Sequence, residues 1–175
     1  MSGVNVIPSH LNNFEFYWNG AKQKGVVDIA LPKLESKTTT ITGAGISGDI
    51  DMPVSGHTSN LTTELNFRIT EETALSLAAV KAHDFEMFGA EEVYDAATGE
   101  YDTKSLRVMM RLMSTSVEMG KLSPAETMDT KMTGSIVYLK VSVDGVKQVE
   151  IDKLNYIYEI NGTDFLAKIR KALGM

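Results

Sequence analysis

Three stretches of this chain alternate apolar and polar residues with a period of two, and no other feature limits the fold so tightly. Leu61, Thr63, Leu65, Phe67 and Ile69 fall on one face of the first, with Thr62, Glu64, Asn66 and Arg68 on the other. In the second, Leu106, Val108, Met110 and Leu112 oppose Arg107 and Arg111. In the third, between Ser135 and Val143, the set Val137, Leu139, Val141 and Val143 points inward. Successive side chains of a strand point to opposite faces, so each stretch reads as a strand with one buried and one wet side. The 175 residues suffice for one sizeable core. The expected class is mainly β, a single domain over 1–175: an antiparallel β-sandwich or barrel with a mid-chain and a C-terminal helix.

Local punctuation fills in the order. Glu15 to Trp18 leads to Asn19–Gly20, a dipeptide suited to a tight hairpin turn, and the return strand is expected at Val26 to Leu31. There Val27, Ile29 and Leu31 share the core face and Asp28 lies opposite. Pro32 ends that pattern. The polar, threonine- and glycine-rich segment that follows is expected to be an extended loop over 33–46, carrying Lys33, Lys37, Thr38, Thr39, Thr40, Gly43 and Gly45. Ordered loops longer than ~12–15 residues are uncommon and usually functional, so it is a candidate contact arm. Thr70 is placed to cap a helix from Glu71 to Val80. Residues 95–100 and Asp144–Gly145 read as turns.

The ending is fully punctuated. Asn161, Gly162 and Thr163 supply cap chemistry, Asp164 a first-turn acid, and Gly174 a left-handed stop. The expectation is a helix over 163–173 docked through Phe165, Leu166, Ile169 and Leu173, which recur at helical spacing.

Several function classes lose their footing. A net charge of −6 offers no basic excess to displace phosphate counterions, so a general nucleic-acid binder is not expected. With no cysteine there is no disulfide, thiolate catalysis or cysteine metal site. The first residues have neither a basic n-region nor an apolar h-region, and no apolar run nears the ~20 residues of a membrane span. Gly43 to Gly48 matches G-x-G-x-x-G, but strand-like Asp49 to Met52 follows where a dinucleotide site needs a helix. His10, His57 and His83 lack metal-ligand spacing, and no nucleophile elbow occurs. Catalytic, cofactor and metal residues are therefore expected to be none. Acidic Asp28, Asp49, Asp51 and Glu64 fall on the non-core faces of three strand candidates. They form either an ordinary wet face or, if copies of the sheet close into a ring, the wall of a water-filled bore.

Leu31 to Thr38, the glycine loop before an Asp-Met strand, and Glu150-Ile-Asp with Ile160-Asn-Gly-Thr-Asp-Phe-Leu166 resemble the major tail tube proteins of contractile-tailed, P2-like phages and related R-type bacteriocins. The likeness runs from near Ile7 to Met175. It implies a structural subunit forming hexameric rings that stack into a hollow tube, with subunit sheets joining around the lumen and the 33–46 loop reaching the next ring. Implied partners are further copies of itself, the contractile sheath, a tape-measure protein, the baseplate hub and the tail terminator. DNA would pass through the lumen without specific binding. The subunit would not insert in a membrane, and would be assembled in the bacterial cytoplasm into a virion tail or tail-like particle. The alternative is a soluble β-domain binding a small molecule or carbohydrate, for which Trp18, Tyr156 and Tyr158 are platform candidates, or a tube subunit of a related secretion system.

Overall fold

The fold comes from a computed structural model that describes residues 6–70 and 72–175. Twelve strands and two short helices occur among them: β1 Val6–Trp18, β2 Ala21–Gln23, β3 Val26–Ala30, β4 Ser36–Ile41, β5 Ile50–Thr58, β6 Thr62–Phe67, α1 Glu72–Ser76, β7 Ala82–Asp95, β8 Glu100–Glu118, β9 Thr130–Val143, β10 Val146–Asp152, β11 Ile157–Ile160, β12 Thr163–Asp164 and α2 Ala167–Ala172. Ten strands form one sheet in the order β12-β11-β10-β9-β8-β7-β1-β2, and the β6–β3 pair branches from β9. Strands β4 and β5 form a separate sheet of two. Every pairing is antiparallel.

The branch has a local cause. β8 lies along one edge of β9 throughout, so β6 at Thr130 to Ser135 and β10 at Tyr138 to Val143 divide the other. Between them sits a bulge: Arg111 faces Tyr138 while Leu112 faces Ile136, leaving Val137 without a partner on β8. An extra residue reverses the alternation beyond it. The buried hydrophobic positions of β9 are therefore Met132, Ile136 and Leu139, and Val137 loses the inward place that simple alternation gives it.

Phe16 of β1, Leu65 and Phe67 of β6, Phe85 of β7, Met110 and Leu112 of β8 and Ile151 of β10 belong to one core cluster. Strands from both ends of the sheet path meet there, so the sheet curls over its own apolar face. Each fully buried side chain of this size contributes ~1.5–3 kcal/mol. Phe16 and Phe85 pack edge to face with centroids 5.0 Å apart. The outer face is laced by charge: Arg111 forks onto Asp84 at 2.6 and 3.0 Å, Arg107 meets Glu86, and Lys22 meets Glu15. Arg111 and Arg107 thus lie opposite the core, as the alternation of β8 requires.

Elsewhere the expectations need correction. The strand returning from Asn19–Gly20 is the three-residue β2; β3 crosses to pair with β6. A bulge between Val26 and Asp28 turns Val26 and Ile29 onto the core and leaves Val27 exposed, while Leu31, expected on the core face, lies beyond the end of β3 and is exposed too. The 33–46 segment is no loop, because Ser36 to Ile41 is strand β4. The mid-chain helix is five residues long. The Thr70 hydroxyl donates to the Met119 carbonyl at 2.7 Å; Glu71, the expected first residue of the helix, lies outside the described residues.

Candidate functional site

Strands β4 and β5 build an arm. Threonines and branched residues favour an extended, pleated chain, which explains why a polar run here pairs instead of looping. Thr38 faces Pro53, Thr39 faces Met52, Thr40 faces Asp51 and Ile41 faces Ile50. Proline is admissible because β5 has no neighbour on its other side. The tip turns through Gly43 and Gly45, where the Ile46 amide donates to the Gly43 carbonyl at 3.1 Å. Lys33 pairs with Glu35 at 3.1 Å below the arm, and Lys37 starts it. All six β4 residues are exposed, and so are Ile50 and Met52 at 49% and 48%. An isolated two-stranded hairpin is marginal in water. One with apolar side chains exposed on it gains from being covered.

The arm is seated on the C-terminal segment. Asn161 and Gly162, both at positive φ, make the tight turn between β11 and β12 and do not cap a helix. The helix proper is Ala167–Ala172. Before it, the Asp164 carboxylate accepts the Leu166 amide at 2.9 Å and pairs with Arg170, whose other amine donates to the Tyr156 carbonyl at 2.7 Å. The Arg170 bond, ahead of every other influence, holds the Asp164 carboxyl below its ordinary range. This clip turns Leu166 into the base of β5, where it is 5% exposed. The expected docking stripe narrows to that residue: Phe165, Ile169 and Leu173 remain 53%, 39% and 58% exposed, because so short a helix buries only its leading end. Gly174 does adopt the left-handed stop, at φ 76°. Between arm base and C-terminal segment lies a groove of about 210 Å³, walled by Tyr156, Ile157, Leu166 and Ile169.

A second opening marks where the curled sheet does not close. β2 covers only Phe16 to Trp18, and β3 pairs only with β6, so β1 before Phe16 and β3 each present a bare backbone edge among the described residues. The groove here, about 180 Å³, is walled by Leu11, Phe14, Ile29, Met87, Leu106 and Val108, with Asp28 beside them. Bare edges of this kind accept a further strand.

The four acids do not share one sheet. Asp28 and Glu64 lie on the β3–β6 pair, and Asp49 and Asp51 on the arm. Asp28 accepts from Asn66, Glu64 pairs with Lys131 at 2.7 Å, and Asp51 accepts the Thr40 hydroxyl at 2.6 Å. Trp18 and Tyr158 pack against the core while Tyr156 is exposed, so the three aromatics make no common platform. Sequence reasoning missed the seat of the arm. Threonine content was a usable signal for β4, whereas nothing in the sequence marked Gly56, whose missing side chain leaves room for Leu166, or Lys153, which lines the groove.

A curled antiparallel sheet with bare edges and a projecting arm has the features of a subunit that assembles through its surfaces. The family follows from comparison: the model of the phage tail tube protein FII family matches residues 8–174, and the chain belongs to that family. It is 26% identical to the tail tube protein of Escherichia phage P2 over 97% of this chain and 99% of that one. It is 28% identical to the major tail tube protein of Serratia phage KSP20, over 97% and 98%. Its fold resembles a chain in the sheath/tube terminator of an extracellular contractile injection system, with TM-score 0.53 and 13% identity, over 77% of this chain and 96% of that one.

Proposed function

We propose that this chain is the repeating subunit of the inner tube of a contractile tail, forming hexameric rings that stack into a hollow conduit. Family membership supports the tube role, and the single structural observation that carries it to assembly is the freestanding arm with its exposed apolar residues. Bare edges of β1 and β3 meet counterparts on neighbouring subunits and extend the sheet around the ring, which removes unpaired backbone. The arm bridges to the adjacent ring. Asp28 and Glu64, on the wet side of β3–β6, are assigned to the bore, where Asp28 keeps its charge and the Glu64–Lys131 pair is neutral, so the wall offers DNA no excess positive charge to adhere to as it passes. Sheath, tape-measure protein, baseplate hub and terminator are the other partners, and the site of action is a virion tail or tail-like particle built in the host cytoplasm. The role requires a rigid wall and no chemistry.

Sedimentation velocity and negative-stain microscopy of the purified chain over a wide concentration range test this reading. Rings or hollow tubes are expected. A monomer at every concentration would remove it.

A further inference from the structure

The two ends of the arm are opposite in charge. At the tip, Asp49 and Asp51 flank Ile50, which lies across from Ile41. Asp49 makes no ion pair or side-chain hydrogen bond among the described residues, and Asp51 has only the neutral Thr40 hydroxyl, so both charges stand uncompensated. At the base, Lys37 and Lys153 approach each other and neither pairs with an acid among the described residues. Burial first, and then the Lys37 ammonium, hold the Lys153 amine below its ordinary value; its Nζ reaches only the Ser59 carbonyl, at 3.3 Å. Lys153 lines the groove formed by Tyr156, Leu166 and Ile169. The groove's own carboxylate, Asp152, is engaged by the amides of Leu154 and Asn155, at 2.9 Å each, and by the Asn155 side-chain amide at 2.7 Å. Lys37 and Ile41 are separated along a paired strand by about 13 Å, at roughly 3.3 Å per residue, so the tip acids do not reach the base lysines of their own chain.

We propose that the groove at the base of the arm receives the arm tip of a second copy of this chain, with Ile41 and Ile50 packing on Tyr156 and Ile169 while Asp49 and Asp51 meet Lys37 and Lys153. Apolar surface faces apolar surface, and each unpaired charge finds its opposite. The contact joins two different patches, so every copy both gives a tip and receives one. Such a head-to-tail contact propagates instead of closing as a dimer. This rests on the reading of the chain as a stacking subunit, and it removes Asp49 and Asp51 from the bore.

Charge reversal tests it. Asp49→Lys with Asp51→Lys, and separately Lys37→Glu with Lys153→Glu, should each raise the concentration needed for tube formation at least about tenfold, since like charges then meet across the contact. The chain carrying all four substitutions should assemble to within a few-fold of wild type. Because Lys153 is partly buried, Lys37→Glu alone, on an exposed position, is carried in parallel, and thermal melting establishes that each variant folds. Normal assembly of the tip-reversed chain, or no rescue in the fourfold variant, overturns the contact while leaving the tube reading intact. A wild-type chain that never assembles removes the tube reading and the contact together.

Discussion

Leu166 occupies the space that a side chain on residue 56 would need. A Cβ built on Gly56 falls 2.3 Å from Leu166 Cδ2, and the backbone there has φ +70°, a region that side-chain-bearing residues avoid. One glycine therefore lets the base of the arm close onto the C-terminal segment, two elements far apart in sequence that share no strand pairing.

Gly56→Ala should accordingly destabilise the fold by ~2–5 kcal/mol, from left-handed strain of ~1–2 kcal/mol and overpacking of ~1–3 kcal/mol. Leu166→Ala alone should cost ~2–5 kcal/mol as a buried large-to-small change. Combined, the two should cost clearly less than their sum, because the smaller residue at 166 admits the new methyl group. Denaturant unfolding of all four chains measures the coupling, and strict additivity would show that the seat is not a direct contact.

His83, wholly buried, joins two elements through its ring: Nδ1 accepts from the Trp18 indole at 3.2 Å and Nε2 donates to the Ala79 carbonyl at 3.2 Å. His83→Leu should leave the indole N–H unsatisfied and cost ~1–3 kcal/mol. Trp18 is the chain's one tryptophan, so its fluorescence reports the site directly. Emission and unfolding midpoint unchanged from wild type would mean that neither hydrogen bond contributes.

What the sequence made legible and what it hid divide along bulges and long-range contacts. Strand identity was readable in Leu61 to Phe67 and in Leu106 to Leu112, where unbroken alternation coincides with burial. The turns at Asn19–Gly20 and Asp144–Gly145 were readable because both residues of each sit at positive φ, which that chemistry favours. Phase was lost wherever a bulge intervened, at Val137 and between Val26 and Asp28, since one inserted residue reverses every later side chain. The arm's threonine-rich composition set the segment apart in the sequence, but neither its strand pairing nor its seat was legible. A glycine chosen to admit a leucine 110 positions later leaves no local trace.

Glu150 sits at the centre of a network whose pH response follows from its neighbours. The Lys147 ammonium, bonded at 2.7 Å, is the main influence holding its carboxyl below the ordinary range, with the Tyr138 hydroxyl adding to it. Burial pushes the Tyr138 phenol up to about 12, and the Glu150 hydrogen bond reinforces this. A carboxyl depressed by folding adds stability above its unfolded value, near ~4.3, and that stability is lost as pH falls through the folded value. Lys147 stays charged over this whole range, its own value being raised by Glu150 and then Glu159. Lys147→Met should therefore be less stable than wild type at pH 7, and the gap should narrow below about pH 4. Melting both chains from pH 3 to pH 8 decides it; a gap independent of pH would assign the loss to packing instead.

The arm should be separable from the fold it projects from. Among the described residues its strands make no ladder with the ten-stranded sheet, and the register sets Thr39 across from Met52. Those two positions can be bridged by a two-residue Asn-Gly turn replacing residues 40–51, because such a turn joins directly paired residues of a hairpin and Met52, unlike Pro53, has the N–H that closes it. The removed side chains on β4 and the start of β5 are exposed, so the shortened chain should unfold within about 0.5 kcal/mol of wild type, as surface changes generally do. Yet it loses Ile41 and Ile50, the apolar residues that a neighbour is proposed to cover, so it should remain as subunits or single rings at concentrations where wild type forms tubes. Microscopy and sedimentation distinguish the outcomes. Full-length tubes from the shortened chain would show that stacking does not use the arm, and a large loss of stability would show that the arm supports the core after all.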